Sequence, residues 1–210
     1  MDGPHNPAIW TDLYPKASNF LIKDYEQLIG SEVELLGGMF MEATCLKEER
    51  VAEAYWANTE VGKSSLVYGL ITGVDLTAED IYETLGENKK LDRFRGFRQI
   101  FSHNPSVDPE ITVDELTNPT VFSNMKRLET EDVSFELHVH PHQYKDALAL
   151  LKSVPALRVI INHLGSPKMA DIASDTYMHY MREFASLPNV FLKVSFFGYI
   201  SPSKDPKELE

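Results

Sequence analysis

Residues 189–198, NVFLKVSFFG, place apolar side chains at neighbouring positions instead of alternate ones, and RVIIN at 158–162 does the same. A strand buried on one face alternates apolar and polar residues. Consecutive apolar residues belong to a strand buried on both faces, as in a parallel sheet covered by helices. Four more short runs rich in Val, Ile, Leu or Phe precede these two: GGMFMEA (37–43), SLVYGLITGV (65–74), FRGFRQIF (94–101) and VSFELHVH (133–140).

The segments between the runs carry helical spacing. Tyr177, Tyr180, Met181, Phe184 and Leu187 share one helix face, as do Ala147, Leu148, Leu151 and Val154. Val121, Met125 and Leu128 form a third stripe, with Asn118 as its N-cap and Pro119 in the first turn. Residues 20–29, 47–61 and 78–86 are further, weaker helical segments. Strand and helix in repeated alternation predict an α/β fold with a parallel sheet.

Two architectures satisfy that order, an open doubly wound sheet and a (β/α)8 barrel. No GxGxxG or GxxxxGK[ST] follows any of the runs, so the open sheet lacks its usual nucleotide-binding motif. Barrels gather polar residues at the carboxyl ends of their strands. Glu42, Asp75, Arg98, His138, His140, His163, Lys193 and Ser195 all lie at or near such ends.

Composition narrows the function. The chain has 20 basic and 32 acidic residues, a net charge of −12, and no basic stripe of the kind that binds nucleic acid. Cys45 is the only cysteine, which favours a reducing compartment. No apolar run approaches the ~20 residues of a membrane span, and residues 1–20 lack a secretory pattern. The expectation is a soluble, cytoplasmic protein acting on a small molecule, with neither nucleic acid nor membrane as partner.

Particular residues carry the candidate chemistry. In FELHVHPHQ (135–143), Glu136, His138 and His140 share a strand face, and Pro141 ends the strand so that His142 falls in the next helix's first turn. Two imidazoles on one face can bind a single metal. His163, in NHLGSP, tops a buried strand beside Gly165, where an imidazole can ligate a metal or act as a base. Arg98 offers a planar fork for a carboxylate or lactone carbonyl, or a structural ion pair. Lys193 can hold a substrate carboxylate or pair with Glu42. Glu42 can ligate a metal, accept a proton, or pair with Arg98 or Lys193. Asp75 reads as a helix cap, and Cys45 as an inert buried thiol.

Taken together, FMEA, GLITGVDL, FRGFRQI, FELHVHPHQ, DALALLKSVPALRVIINHLGSP and LPNVFLKVS resemble the amidohydrolase-related (amidohydrolase-2) family of metal-dependent hydrolases, in its lactonase-like branch. The resemblance covers about residues 20 to 197. It implies a TIM-type barrel and hydrolysis of an ester or lactone bond in a small anionic or sugar-derived substrate by activated water. His163 matches a core site residue, catalytic or metal-binding. His138 and His140 fall on a variable part of the family's strand, and it is the strand face, not the resemblance, that makes His138 the candidate co-ligand of His163. Arg98 matches a substrate-binding position. Glu42, Lys193 and Ser195 match recurrent polar positions of the active face, and His140 is added to the substrate-binding set. His142 falls within a recurrent PHQ, where a supporting structural role is equally consistent. One divalent ion, zinc or manganese, is implied, or none.

The family also carries a first strand with His-x-His and an eighth strand with an essential aspartate. MDGPH holds no such pair, and Asp205 in the polar tail has no strand behind it. The expectation is therefore one domain holding strands 2 to 7 of an incomplete barrel, irregular at 1–19 and 199–210. Its unpaired edges would favour self-association, and it would show weak or no turnover as written. A catalytically silent binding or partner protein, and a decarboxylase of the same superfamily, are the alternatives.

Overall fold

The computed structural model describes residues 20–29, 33–101 and 113–200. Its chain divides into two compact units, one of residues 1–75 and 80–98, the other of residues 76–79 and 99–210. Among the described residues there are six strands, one in each of the apolar runs.

The first unit runs α1 (Ile22–Ile29), β1 (Gly37–Met41), α2 (Arg50–Val61), β2 (Val67–Gly73), α3 (Tyr82–Lys89) and, as far as Arg98, β3 (Phe94–Ile100). β1 pairs with β2 in parallel, Phe40 opposite Leu70, and β2 pairs with β3 in parallel after a register shift between Leu70 and Ile71. β2, flanked on both sides, is buried from Tyr68 to Gly73, as its unbroken apolar run requires. Helix α2 presents Ala54, Ala57 and Val61 inward, together with two glutamates, Glu53 and Glu60. Helix α3 starts later than the predicted 78–86. The Asp80 carboxylate accepts the Tyr82 N–H at 2.8 Å, and the helix runs on to Lys89. Asp75, expected as a cap, forms an ion pair with Lys47 at 3.4 Å.

The second unit contains α4 (Pro119–Glu129), β4 (Ser134–His138), α5 (Tyr144–Ser153), β5 (Arg158–Ile161), α6 (Met169–Ile172), α7 (Asp175–Ala185), β6 (Val190–Leu192) and α8 (Phe197–Ile200). β4, β5 and β6 are parallel neighbours, with Leu137 opposite Ile161 and Ile161 opposite Leu192. Leu137, Val139, Val159 and Ile161 are fully buried. Tyr144 on α5 forms the aromatic core between helices, its ring 6.2 Å from Tyr177, 5.8 Å from Tyr180 and 5.6 Å from Phe184. β6 is much shorter than the apolar run 189–198. Its ladder adds one bond, Lys193 N–H to the Ile161 carbonyl at 2.8 Å, before Phe196 turns to φ 65°. Val194, Phe196 and Phe197 beyond it are exposed. Tyr199 and Ile200, placed in an irregular tail by the sequence, close the short helix α8. Residues 1–19 and Asp205 lie outside the described residues.

Helix α4 begins as its sequence specifies. The Asn118 side chain accepts the Thr120 N–H at 2.9 Å, and Val121, Met125 and Leu128 are fully buried. Replacing Asn118 by Ala leaves that N–H without its side-chain acceptor and is expected to cost about 1 kcal/mol. A urea-unfolding comparison checks this, with Asn118→Ser as the variant that retains the cap.

Candidate functional site

The polar residues at the strand ends fall into two clusters, one in each unit. In the second unit the hub is Glu136, on β4 and nearly buried. Its Oε2 accepts from Asn162 Nδ2 at the end of β5 and from Lys193 Nζ just past β6. Parallel register sets this convergence, since each of the three residues lies at or near the carboxyl end of its strand. Lys193 is thus paired with Glu136, and the pairing with Glu42 considered from sequence does not form. A half-buried lysine, already neutralised by a carboxylate, attracts a substrate anion less than a lone ammonium would.

His163 stands beside the hub. Its Nδ1 lies 2.9 Å from Ser195 Oγ, a contact that fixes the ring plane. Its ring centroid is 5.2 Å from that of His138 and 4.7 Å from that of Phe196. An imidazole held by a hydroxyl on one side, with rings packed against it, is oriented as a general acid or base needs to be. The backbone beneath it is unusual. His163, Leu164, Gly165 and Ser166 all take positive φ, at 53°, 56°, 78° and 55°. Three of these four are not glycine, and such residues are costly in the left-handed region. Strain of that kind concentrates at functional turns. The turn is over-determined: Leu164 N–H donates to the Lys193 carbonyl at 3.0 Å, Tyr177 Oη to the Leu164 carbonyl at 3.1 Å, and Tyr144 Oη to the Gly165 carbonyl at 2.7 Å.

His140 lies past the end of β4, where the chain remains extended before Pro141. Its ring centroid is 5.9 Å from that of His138 and its Nδ1 is 3.4 Å from the Ser166 carbonyl. Burial, opposed by that carbonyl, pushes its pKa below the ordinary histidine value, so it is neutral at neutral pH. His142 is in the 3-10 turn Pro141–Gln143 that leads into α5, stacked on His140, as the proline predicts.

The donor set among the described residues falls short of a metal site. Among the described residues no group of three or more His, Cys, Asp and Glu side chains is placed to hold a metal ion. His138 and His163 offer two imidazoles, whereas protein zinc sites use three or four side-chain ligands.

The first unit carries the other cluster. Arg98, on β3, donates from Nε to Glu42 Oε1 at 2.5 Å and from one Nη to the Glu42 carbonyl at 2.8 Å. Glu42 follows β1 and is almost wholly buried, and its Oε2 accepts the Thr44 N–H at 2.6 Å within a turn where Thr44 has φ 59°. Of the partners open to Arg98 and Glu42 from sequence, each takes the other. Cys45 closes the turn, and burial together with Glu53 and Glu42 pushes its thiol up to about 12, which disfavours the nucleophilic thiolate.

Glu53 is the residue that sequence reasoning missed. It sits on the inner face of α2, 1% exposed, and its Oε1 accepts the Ala43 N–H at 2.9 Å. Its Oε2 is buried without a hydrogen-bond partner. Burial is the main cause that raises its pKa to about 7. The signal available in the sequence was its spacing. Glu53, Ala57 and Glu60 fall at i, i+4 and i+7, on the face that Ala54 and Val61 also share. A cavity of about 290 Å³ also opens in this unit, lined by Phe20, Met39, Trp56 and Tyr68 among others; none of Glu42, Glu53 and Arg98 borders it.

A family model described as amidohydrolase matches residues 38–210. L-fucono-1,5-lactonase of Burkholderia ambifaria is 26% identical over 133 residues, 63% of this chain and 44% of the relative. An amidohydrolase from Burkholderia multivorans, solved with bound zinc, superposes with a TM-score of 0.74 at 20% identity, covering 91% of this chain and 66% of that one. A probable 2-pyrone-4,6-dicarboxylic acid hydrolase from Acinetobacter baumannii, solved with citric acid bound, gives 0.67 at 16% identity, with 90% and 66% covered. At these identities the superpositions establish the α/β fold. The chain spans about half the length of the curated relatives it matches. Among the described residues no helix is long and apolar enough to cross a membrane.

Proposed function

The chain belongs to the amidohydrolase family, and from that premise we propose that it is the strand 2 to 7 portion of a (β/α)8-type hydrolase acting on an ester or lactone of a small anionic or sugar-derived substrate. The observation that carries this reading is the His163 imidazole, held by Ser195 on a strained turn at the strand ends. The lactonase relative supports the bond type.

In this reading His163 is the proton-transfer group. It takes a proton from the attacking water or returns one to the leaving alkoxide, with Ser195 Oγ fixing the ring. Glu136 holds Lys193 and Asn162 so that the ends of β4, β5 and β6 keep their spacing. His140, neutral, lines the approach as a hydrogen-bonding side chain. Separately from these residues, Arg98 in the first unit is suited to anchor an anionic oxygen by the terminal nitrogen not engaged with Glu42. A divalent ion, zinc or manganese, would polarise a carbonyl, but the two imidazoles described do not complete its ligand set, and the roles above are assigned without it.

The test is a panel of sugar-acid lactones and pyrone dicarboxylate lactones, assayed with and without added zinc or manganese. His163→Ala is expected to abolish whatever hydrolysis the chain supports, and Ser195→Ala to lower it about tenfold or more. Hydrolysis untouched by His163→Ala would remove the assignment. The incomplete metal donor set favours one second reading, a protein that binds its ligand without turning it over. It predicts saturable binding of a sugar acid with no hydrolysis of any lactone in the panel.

A further inference from the structure

We propose that Glu53 is a positioning residue for Arg98, setting through the turn 42–45 both the place and the net charge of an anchor for an anionic oxygen. This rests on Arg98 as that anchor.

The connection runs through four contacts. Glu53 Oε1 holds the Ala43 N–H at 2.9 Å. Ala43 is bonded to Glu42, whose own carboxylate is turned back on the Thr44 N–H at 2.6 Å. The same Glu42 then takes Arg98 twice, by side chain at 2.5 Å and by carbonyl at 2.8 Å. Two of the three guanidinium nitrogens are thereby oriented, and the third makes no hydrogen bond among the described residues. A shift of the turn is passed to the guanidinium without a hydrogen bond between Glu53 and Arg98.

Charge follows the same route. The groups that act on Glu53 from the elements around it are Glu42 and Cys45 in the turn and Arg98 on β3. Arg50, on Glu53's own helix, acts on the neighbouring Cys45. With Glu53 neutral, Glu42 and Arg98 cancel, and the uncommitted guanidinium nitrogen meets an incoming anion without a net opposing charge. With Glu53 ionised, the cluster holds two carboxylates against Arg98 in a place with little water to screen them. The unpartnered Oε2, fully buried, is where the proton sits in the neutral form. A protonation midpoint of about 7 places both forms within the working range of an ordinary cell interior. Anion affinity should therefore fall as pH rises through that midpoint.

The experiment uses the full chain labelled on arginine side-chain nitrogen and on glutamate carboxyl carbon. In a titration from pH 5 to 9, the Glu53 carboxyl signal and the Arg98 Nε–H signal are expected to move with a shared midpoint near 7. In Glu53→Gln the Arg98 signal should stay still. Gluconate, ionised throughout that range, is the probe for binding. Its affinity is expected to be about tenfold weaker at pH 8.5 than at pH 5.5 in the native chain, and equal at the two pH values in Glu53→Gln. An Arg98 signal that does not follow Glu53, or a native pH dependence retained in Glu53→Gln, overturns the inference. Gluconate binding indifferent to Arg98→Ala at both pH values overturns instead the reading of Arg98 as the anchor.

Discussion

Substituting Glu53 by glutamine is expected to make the folded chain more stable at pH 8 by roughly 3 kcal/mol while leaving it nearly unchanged at pH 4. The carboxyl is 1% exposed, and burial raises its pKa from 4.5 to about 7. A group with a raised folded-state pKa binds more protons folded than unfolded between those two values. The stability linked to its proton is full below pH 4.5 and is lost as pH rises through about 7. Above the midpoint the folded state carries a buried, half-satisfied carboxylate, since Oε1 has the Ala43 N–H and Oε2 has nothing. A shift of this size corresponds to roughly 3 kcal/mol. Glutamine keeps an acceptor for the Ala43 N–H, fills the same volume and cannot ionise. Urea unfolding of both chains from pH 4 to 9 isolates the effect, because all other titrations are common to the pair. The difference should open between pH 4.5 and 7 and stay constant beyond. Profiles that run parallel throughout would show that Glu53 titrates normally in the folded chain.

Why Glu53 was not legible while His163 was is a matter of local against distant information. His163 follows closely on the apolar run of β5 and stands two before a glycine, so its place at a strand tip could be read from its neighbours alone. The six strands and the Asn118 cap were legible for the same reason, each being specified within a few residues. Glu53 lies in a helix whose inner face is built from alanines, and a glutamate there reads as solvent-facing by default. Its surroundings come from the turn 42–45 and from Arg98 on β3, which the spacing within its own helix does not announce. The Glu136–Lys193 and Glu42–Arg98 pairs are likewise separated by more than fifty residues, and the sequence left Glu42 two cationic candidates, Arg98 and Lys193. Strand register decides between them, and register is a property of the assembled sheet. The left-handed run at 163–166 was half legible: Gly165 announced a turn, but nothing in Leu164 or Ser166 announces a positive φ.

That run supports the second large prediction. Gly165→Ala is expected to destabilise the chain by about 3 kcal/mol and to weaken the hold of Ser195 on His163. Two costs combine. Gly165 has φ 78°, where a Cβ is disfavoured by about 1–2 kcal/mol. The added Cβ would also lie 2.6 Å from the Tyr144 hydroxyl. Tyr144 cannot retreat cheaply, since it is fully buried and walled by Tyr177, Tyr180 and Phe184. Overpacking of that kind costs about 1–3 kcal/mol. Its hydroxyl also donates to the Gly165 carbonyl, and burial raises its pKa further, so the donor is always protonated near neutral pH. Tyr144→Phe alone should cost about 1–2 kcal/mol, for the carbonyl left without its donor. The two changes should not add. Once the hydroxyl is gone the tightest clash is removed and only the ring carbons at 3.1 Å must give, so Gly165→Ala made on top of Tyr144→Phe should cost less than it does alone. A double-mutant cycle by urea unfolding measures the coupling, and strictly additive costs would show that methyl and hydroxyl never meet. Because Leu164, between His163 and Gly165, is bonded to Lys193, the same displacement reaches the imidazole. Lactone or sugar-acid assays of Gly165→Ala should therefore lose more in the presence of the Tyr144 hydroxyl than in its absence.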